Sequence, residues 1–306
     1  MQNFDVICSE DILTEDQLWQ SHMTLAQFNK SRLSPQCPTP SWRQDVAQNH
    51  TMLVLEGCVL ETERSKILSR AKEAPRNGKE FMEWFESLKS TGPGQDSPLF
   101  EWLQSTANHE QMKWFVRQEV AGEAGFDDLT AMTQIKFSSQ PKLEMARNYW
   151  DEMGRGKEAG MHGPMLDRVA EAFEIQPDSL ESYIPEALAL ANVLIGLAVN
   201  RRYAYHSIGA LGAVELTAPG RAKKVQEGLK RLGISPEGQH YYSLHAAIDI
   251  KHSQDWNREV ILPLVTDKPN LIPSIAEGAL MRLNAGARCF DRYLREFQLI
   301  EEPAVL

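Results

Sequence analysis

The chain has 306 residues, 42% of them apolar, and carries 42 acidic against 32 basic side chains, for a net charge of -10. That length buries a substantial core and accommodates a main domain with an appendage. The acidic balance opposes phosphate backbones and anionic lipid surfaces, so neither nucleic acid nor membrane is an expected partner.

The opening segment, MQNFDVICSEDILTEDQ, is acidic and lacks the basic-then-apolar pattern of a signal peptide. The cysteines, Cys8, Cys37, Cys58 and Cys289, show no CxxC spacing, which predicts reduced thiols in a cytoplasmic protein rather than a zinc knot or disulfide framework. A Pro-rich connector at 31–42 precedes residues 51–74, whose charges recur at helical spacing. A second break, KSTGPGQDSP at 89–98, sets an N-terminal helical region, residues 1–95, apart from a main domain, residues 96–306.

Helical periodicity dominates the main domain, and strand alternation is hard to find. Helices are expected at 98–106, 109–134, 141–156, 161–173, 185–217, 221–233, 240–256 and 272–297. Pro273 near a helix start and Gly233 after a helix end suit those places. The longest apolar run, ALALANVLIGLAV at 187–199, is interrupted by Asn192 and falls short of the ~20 residues of a membrane span. It reads as a central buried helix, and the fold class is an all-α bundle.

The chemistry concentrates in HYYSLHAAIDIKHSQDW, residues 240–256. At about 100° per residue, Asp249 lies about 40° from His245, and His252 about 20° the other way. Two imidazoles and a carboxylate therefore share one stripe, with Trp256 near it. A solvated face or a core histidine held by a carboxylate would read the same way. Glu215 in SIGALGAVELTAP sits among small residues, where an ionised carboxylate needs a positive partner unless it marks a helix end beside Pro219. NYWDEMGRGKEAGMHGPML offers Asp151, Glu152, Glu158 and His162. On a regular helix Asp151 would align with His162 better than Glu152 does, but Gly154, Gly156 and Gly160 predict a break, so the choice stays open. Glu119 and Glu123 stand one turn apart and are read equally well as an exposed acidic edge. Oxygen and nitrogen donors without thiolate suit iron or manganese, and carboxylates bridge two such ions. A single Glu-x-x-His pair occurs, Glu237 to His240, whereas a ferritin-like site needs two, which argues against that version.

The ordered set Glu152, His162, Glu215 and His245-x3-Asp249-x2-His252, with ARNYWDEMGRG and GALGAVE around it, resembles the heme-oxygenase-like dinuclear iron oxidases and oxygenases over roughly residues 97–297. The resemblance implies a heme-oxygenase-like helical bundle that binds two Fe(II) ions, with Mn as a substitute. It implies O2 as co-substrate, an external electron donor and a small amine- or amino-acid-derived substrate, in a homodimer. Carried over by position, Glu152, His162, Glu215, His245, Asp249 and His252 are the metal ligands, with Glu152, Glu215 and Asp249 also catalytic. N-oxygenating members carry a further carboxylate on the preceding helix, for which Glu119 is the first choice and Glu123 the second. Near the ligand helix, Tyr241, Tyr242 and Trp256 are pocket candidates, although aromatics at helical spacing read first as core, and Arg155, Arg201 and Arg202 can meet a substrate carboxylate, although each reads first as a surface cation. Oxidative C-C cleavage of a fatty or amino acid is the sister reaction. Haem-binding relatives would use a histidine where His109 stands. Further alternatives are a metal-free thiaminase-like or cofactor-biosynthesis enzyme of this fold and a helical interaction protein. The first 95 residues lie outside the resemblance.

Overall fold

The structure is a computed structural model that describes residues 15–122, 125–175 and 180–301. Among these residues it is helical, with one isolated antiparallel bridge between Met153 and Met161. The helices are α1 (Glu15–Leu33), α2 (Trp42–Ala71), α3 (Gly78–Thr91), α4 (Leu99–Ser105), α5 (His109–Gly122), α6 (Phe126–Thr133), α7 (Ser139–Glu152) and α8 (His162–Ala172). They continue with α9 (Pro185–Val199), α10 (Ala204–Arg231), α11 (Pro236–Asp255), α12 (Leu262–Asp267) and α13 (Ile272–Glu296).

Helix α9 is the apolar run read as central, and every residue from Ala187 to Ala198 is buried. A helix apolar all round has no solvated face, so it must be enclosed by others. Its one polar interruption is matched: Asn192 accepts from Asn29 Nδ2 at 2.9 Å and donates to His22 O at 2.9 Å, tying α1 onto α9. Helices α2 and α13 also pack on α9, and α2 and α3 supply Leu60, Ile67, Phe81 and Phe85 to the main core. The N-terminal helical region thus shares its core with the bundle. No helix among the described residues is long and apolar enough to cross a membrane.

Several boundaries differ from expectation. The 109–134 helix is two, because Gly125 takes φ +70° and re-aims the chain into α6. The 185–217 helix also divides, at a tight 3-10 turn over Arg201–Tyr203, and its second half continues through 221–233 as α10. Pro219 is therefore inside a helix, not at its end. Its missing N-H leaves the carbonyl of Glu215 without the helical donor four residues on. Beyond α11 the chain takes a π-helical turn, Trp256–Ile261, that periodicity does not announce. Such turns frequently mark functional sites. Cys58 is disulfide-bonded, contrary to the reduced state expected for it, while Cys37 and Cys289 are free.

The pairing that positions the site is α10 against α13. A Cβ at Gly209 would overlap Ile275 O, and one at Gly278 would overlap His206 O, so the two backbones cross in direct contact. Gly278→Val is expected to force them apart, destabilising the fold by at least ~1–3 kcal/mol. A thermal melt that moves by less than about 2 °C would show that the crossing tolerates a side chain.

Candidate metal centre

Four segments bring their donors to one place: the C-terminal end of α7, the start of α8, the middle of α10 and the second half of α11. The α7–α8 connection explains how residues ten apart meet. Helix α7 stops at Glu152, and Gly154, Arg155 and Gly156 all take positive φ. A Cβ at Gly154 would overlap the backbone of Gly160, so the loop folds flat on itself and closes with the Met153–Met161 bridge. This break brings His162 back over Glu152. Their atoms Nδ1 and Oε2 lie 2.6 Å apart.

Two donor groups result, each with ligand atoms within 4.8 Å of one another: Glu152, His162 and His245, and Glu152, Glu215 and His252. Glu152 belongs to both. Asp249 stands beside them, with Oδ1 3.7 Å from His252 Nδ1, while Glu215 Oε2 is 3.6 Å from the same nitrogen. All three residues of the α11 stripe thus face this centre. The rings of His162 and His245 pack edge to face at 4.5 Å.

The neighbours orient each donor. His245 Nδ1-H donates to Tyr241 O at 2.7 Å, which leaves Nε2 as its lone-pair nitrogen. His252 Nε2-H donates to Asp151 Oδ2 at 3.2 Å, which aims Nδ1 at Glu215 and Asp249. Asn148, one turn before Glu152 on α7, donates from Nδ2 to Glu215 Oε1 at 2.5 Å. Partners that fix the tautomer and position of a ligand are the usual outer ring of a metal site.

Electrostatically the cluster fits a cation. His162 Nδ1 and His252 Nδ1 are buried and aimed at carboxylate oxygens, 2.6 Å from Glu152 for the first and 3.6 and 3.7 Å from Glu215 and Asp249 for the second. Burial and the adjacent Glu215 push the Glu152 carboxyl well above the usual carboxylate range. Burial and the neighbouring His252 lower His162 to about 4, and burial and His162 lower His245 to about 4. Burial opposes charge on His252 too, but Glu215, Asp151 and Glu152 outweigh it and raise that ring to about 9. Buried carboxylates that repel one another, with imidazole nitrogens aimed among them, have one remedy in a positive ion between them.

A cavity of about 120 Å³ adjoins the cluster, and Glu152, His245 and Asp249 form part of its wall. Tyr241 and Tyr242 line it. Trp256 does not: it is buried against Gly212 and donates from Nε1 to Ile208 O at 3.2 Å, so it is a packing residue of the α10–α11 interface. Glu119 lines the cavity but belongs to neither donor group. It accepts a hydrogen bond from Tyr293, lies near the guanidiniums of Arg221 and Arg282, and has a carboxyl raised by burial. Glu123 lies outside the described residues. His109 packs on Phe173 and does not reach the cavity. Arg155 pairs with Asp151 at 2.6 Å, Arg201 donates to the carbonyls of Met132, Thr133 and Ile135, and Arg202 lies 3.5 Å from Glu61. None of these three cations is on the cavity wall.

The model of a family described as iron-containing redox enzymes matches residues 113–287, more than half of the chain. The chain belongs to the iron-containing redox enzymes. Both donor groups and the cavity's two arginines fall inside the matched span. A solved structure, a domain of unknown function with a heme oxygenase-like fold from Shewanella denitrificans OS217, is similar over 71% of this chain and 90% of its own, with 15% identity and a TM-score of 0.52. At that identity the likeness establishes the fold of this iron-containing redox enzyme and nothing of its substrate. No curated protein matches the sequence.

Proposed function

We propose that this protein is a non-haem di-iron oxygenase that consumes O2 and electrons from an external donor to oxidise a small amine- or amino-acid-derived substrate. The observation that carries this reading is Glu152, common to two donor groups that each offer at least one imidazole. A carboxylate with two oxygens can serve two ions at once, so overlapping donor groups that share Glu152 fit a pair of ions. In the proposed assignment Glu152, His162 and His245 would hold one iron, and Glu215 and His252 would hold the other, with Glu152 shared and Asp249 beside them. Iron held by these residues would supply the one-electron chemistry that spin-paired organic substrates lack toward O2.

The chain's own residues have separable tasks. Asn148 and Asp151 fix the orientations of Glu215 and His252. The apolar cavity wall of Phe126, Leu190, Val214 and Val225 excludes water from the reacting groups. N-oxygenation is the reaction we favour, R-NH2 with O2, two electrons and two protons giving R-NHOH and water. That preference rests on the sequence resemblance, because Glu119 lines the cavity without joining either donor group. Oxidative C-C cleavage is the alternative on the same site.

The test is anaerobic titration of the metal-free protein with Fe(II), followed by removal of unbound metal. Two irons per chain are expected, with O2 uptake on adding air and a reductant. A plateau at one iron or none would remove the dinuclear reading.

A further inference from the structure

The cavity has a second polar region that the metal centre does not use. Along α10 its wall is formed by Val214, Ala218, Arg221, Ala222 and Val225, one stripe at helical spacing. Arg221 lies six residues beyond Glu215, about 9 Å further along the helix axis. Arg282, from α13, meets the same space, as does Glu119 from α5. Two guanidiniums and one carboxylate leave this region with an excess of positive charge.

Both arginines are held in place rather than left to solvent. Arg221 donates from Nη2 to Thr217 Oγ1 at 2.9 Å, and its guanidinium sits 5.7 and 5.3 Å from the ring centroids of Phe100 and Phe290. Its Nη1 is buried without a hydrogen-bond partner. Arg282 is 8% exposed, and its side chain occupies the space that a Cβ at Gly286 would need, 2.5 Å from Nη1. Burial and the like charge of Arg282 lower Arg221 to about 9, with Glu119 opposing the shift. A buried cation in this condition is strongly improved by an anion, and a planar guanidinium matches a carboxylate with two parallel hydrogen bonds.

We infer that Arg221 and Arg282 form an anion-recognition end of the substrate cavity, so that the substrate is a small carboxylate whose other end reaches Glu152, His245 and Asp249. The aromatic and aliphatic wall between the two polar regions fits the apolar body of such a molecule. For an amino acid, the side chain or amine is then presented to the metal centre while the carboxylate is anchored away from it. As a statement about substrate this rests on the oxygenase reading, but the binding it requires does not.

The experiment is calorimetric titration of the full chain, both metal-free and anaerobically loaded with Fe(II), with pentanoate and with pentylamine, which match in length and oppose in charge. Pentanoate is expected to bind both forms at least tenfold more tightly than pentylamine. Arg221→Gln and Arg282→Gln are each expected to weaken pentanoate at least tenfold with iron content unchanged. Equal or tighter binding of pentylamine, no binding of pentanoate to the unmodified chain, or pentanoate affinity untouched in both variants would overturn the inference. If one variant fails to fold, the other and the comparison of the two probes on the unmodified chain still decide it. Pentanoate held through Arg221 in a chain that takes up no iron would refute the oxygenase reading alone. A chain that loads two irons and ignores pentanoate would refute this inference alone.

Discussion

Glu152→Gln is expected to abolish iron uptake at both positions while leaving the metal-free protein as stable as before, or more so. The two effects have opposite signs for one reason. Glu152 is buried beside Glu215, and both burial and that repulsion hold its carboxyl well above the ordinary range. A carboxylic acid whose folded-state pKa is raised contributes stability that is fully present below its unfolded value, near 4.5, and is lost as pH rises through the folded value. At neutral pH the wild-type chain has lost some of that contribution, and a neutral amide of the same shape has none to lose. Metal binding responds oppositely, because an amide cannot serve as an anion shared by two cations. Loss of one iron with full retention of the other would show that Glu152 is not shared. A melting temperature that falls by more than about 5 °C in the metal-free variant would assign Glu152 a packing role. Thermal denaturation and iron quantification on the same samples separate these outcomes.

Much of this centre is legible in the sequence, and the part that is not has a local cause. The α11 stripe obeys helical geometry, so His245, Asp249 and His252 could be placed on one face from spacing alone, and they do face one centre. Glu215 stood out because a carboxylate among Gly209, Gly212 and Ala213 has no ordinary reason to be there. Periodicity failed between Asp151 and Glu152, since the angular rule assumes a continuous helix and this one ends at Glu152. The three glycines announced the break but not its direction. The outcome gives the two carboxylates different tasks: Glu152 faces the donors, and Asp151 holds His252 from behind while paired with Arg155. Asn148 was missed, although its position one turn before Glu152 was a usable signal. Arg221 and Arg282 were missed for a different reason. Arg221 sits among other cations in GRAKK, Arg282 is a lone charge among the apolar residues of LMRLN, and only the packing of α5, α10 and α13 shows that both meet one cavity.

Metal affinity is expected to rise with pH from about 6.5 to about 9 and to level off above that, because His252 must surrender a proton before its Nδ1 can serve as a ligand. Burial works against charging this ring, but Glu215, Asp151 and Glu152 raise it to about 9 in the folded chain, from an ordinary value of 6.5. Below that folded value each ion that binds displaces the proton, so affinity changes by about tenfold per pH unit, and more where Glu152 also releases one. The stability of the metal-free chain carries the same linkage with its own signs. The raised His252 contributes stability that is fully present below 6.5 and lost as pH rises through about 9. His162 and His245, lowered to about 4, contribute stability present above 6.5 and lost as pH falls toward 4. The metal-free protein is therefore squeezed from both sides, whereas a loaded protein would escape the alkaline loss if an ion took the place of that proton. Asp151→Asn tests the origin of the effect: it removes the charge facing His252 Nε2-H, so the plateau should begin at lower pH, with affinity there reduced about 10–100-fold. Calorimetric titration with Co(II), which N/O sites bind more tightly than Fe(II), reads both quantities. An affinity independent of pH across this interval, and unchanged by Asp151→Asn, would mean that His252 does not bind the ion, and the second of the two donor groups would lose its only imidazole.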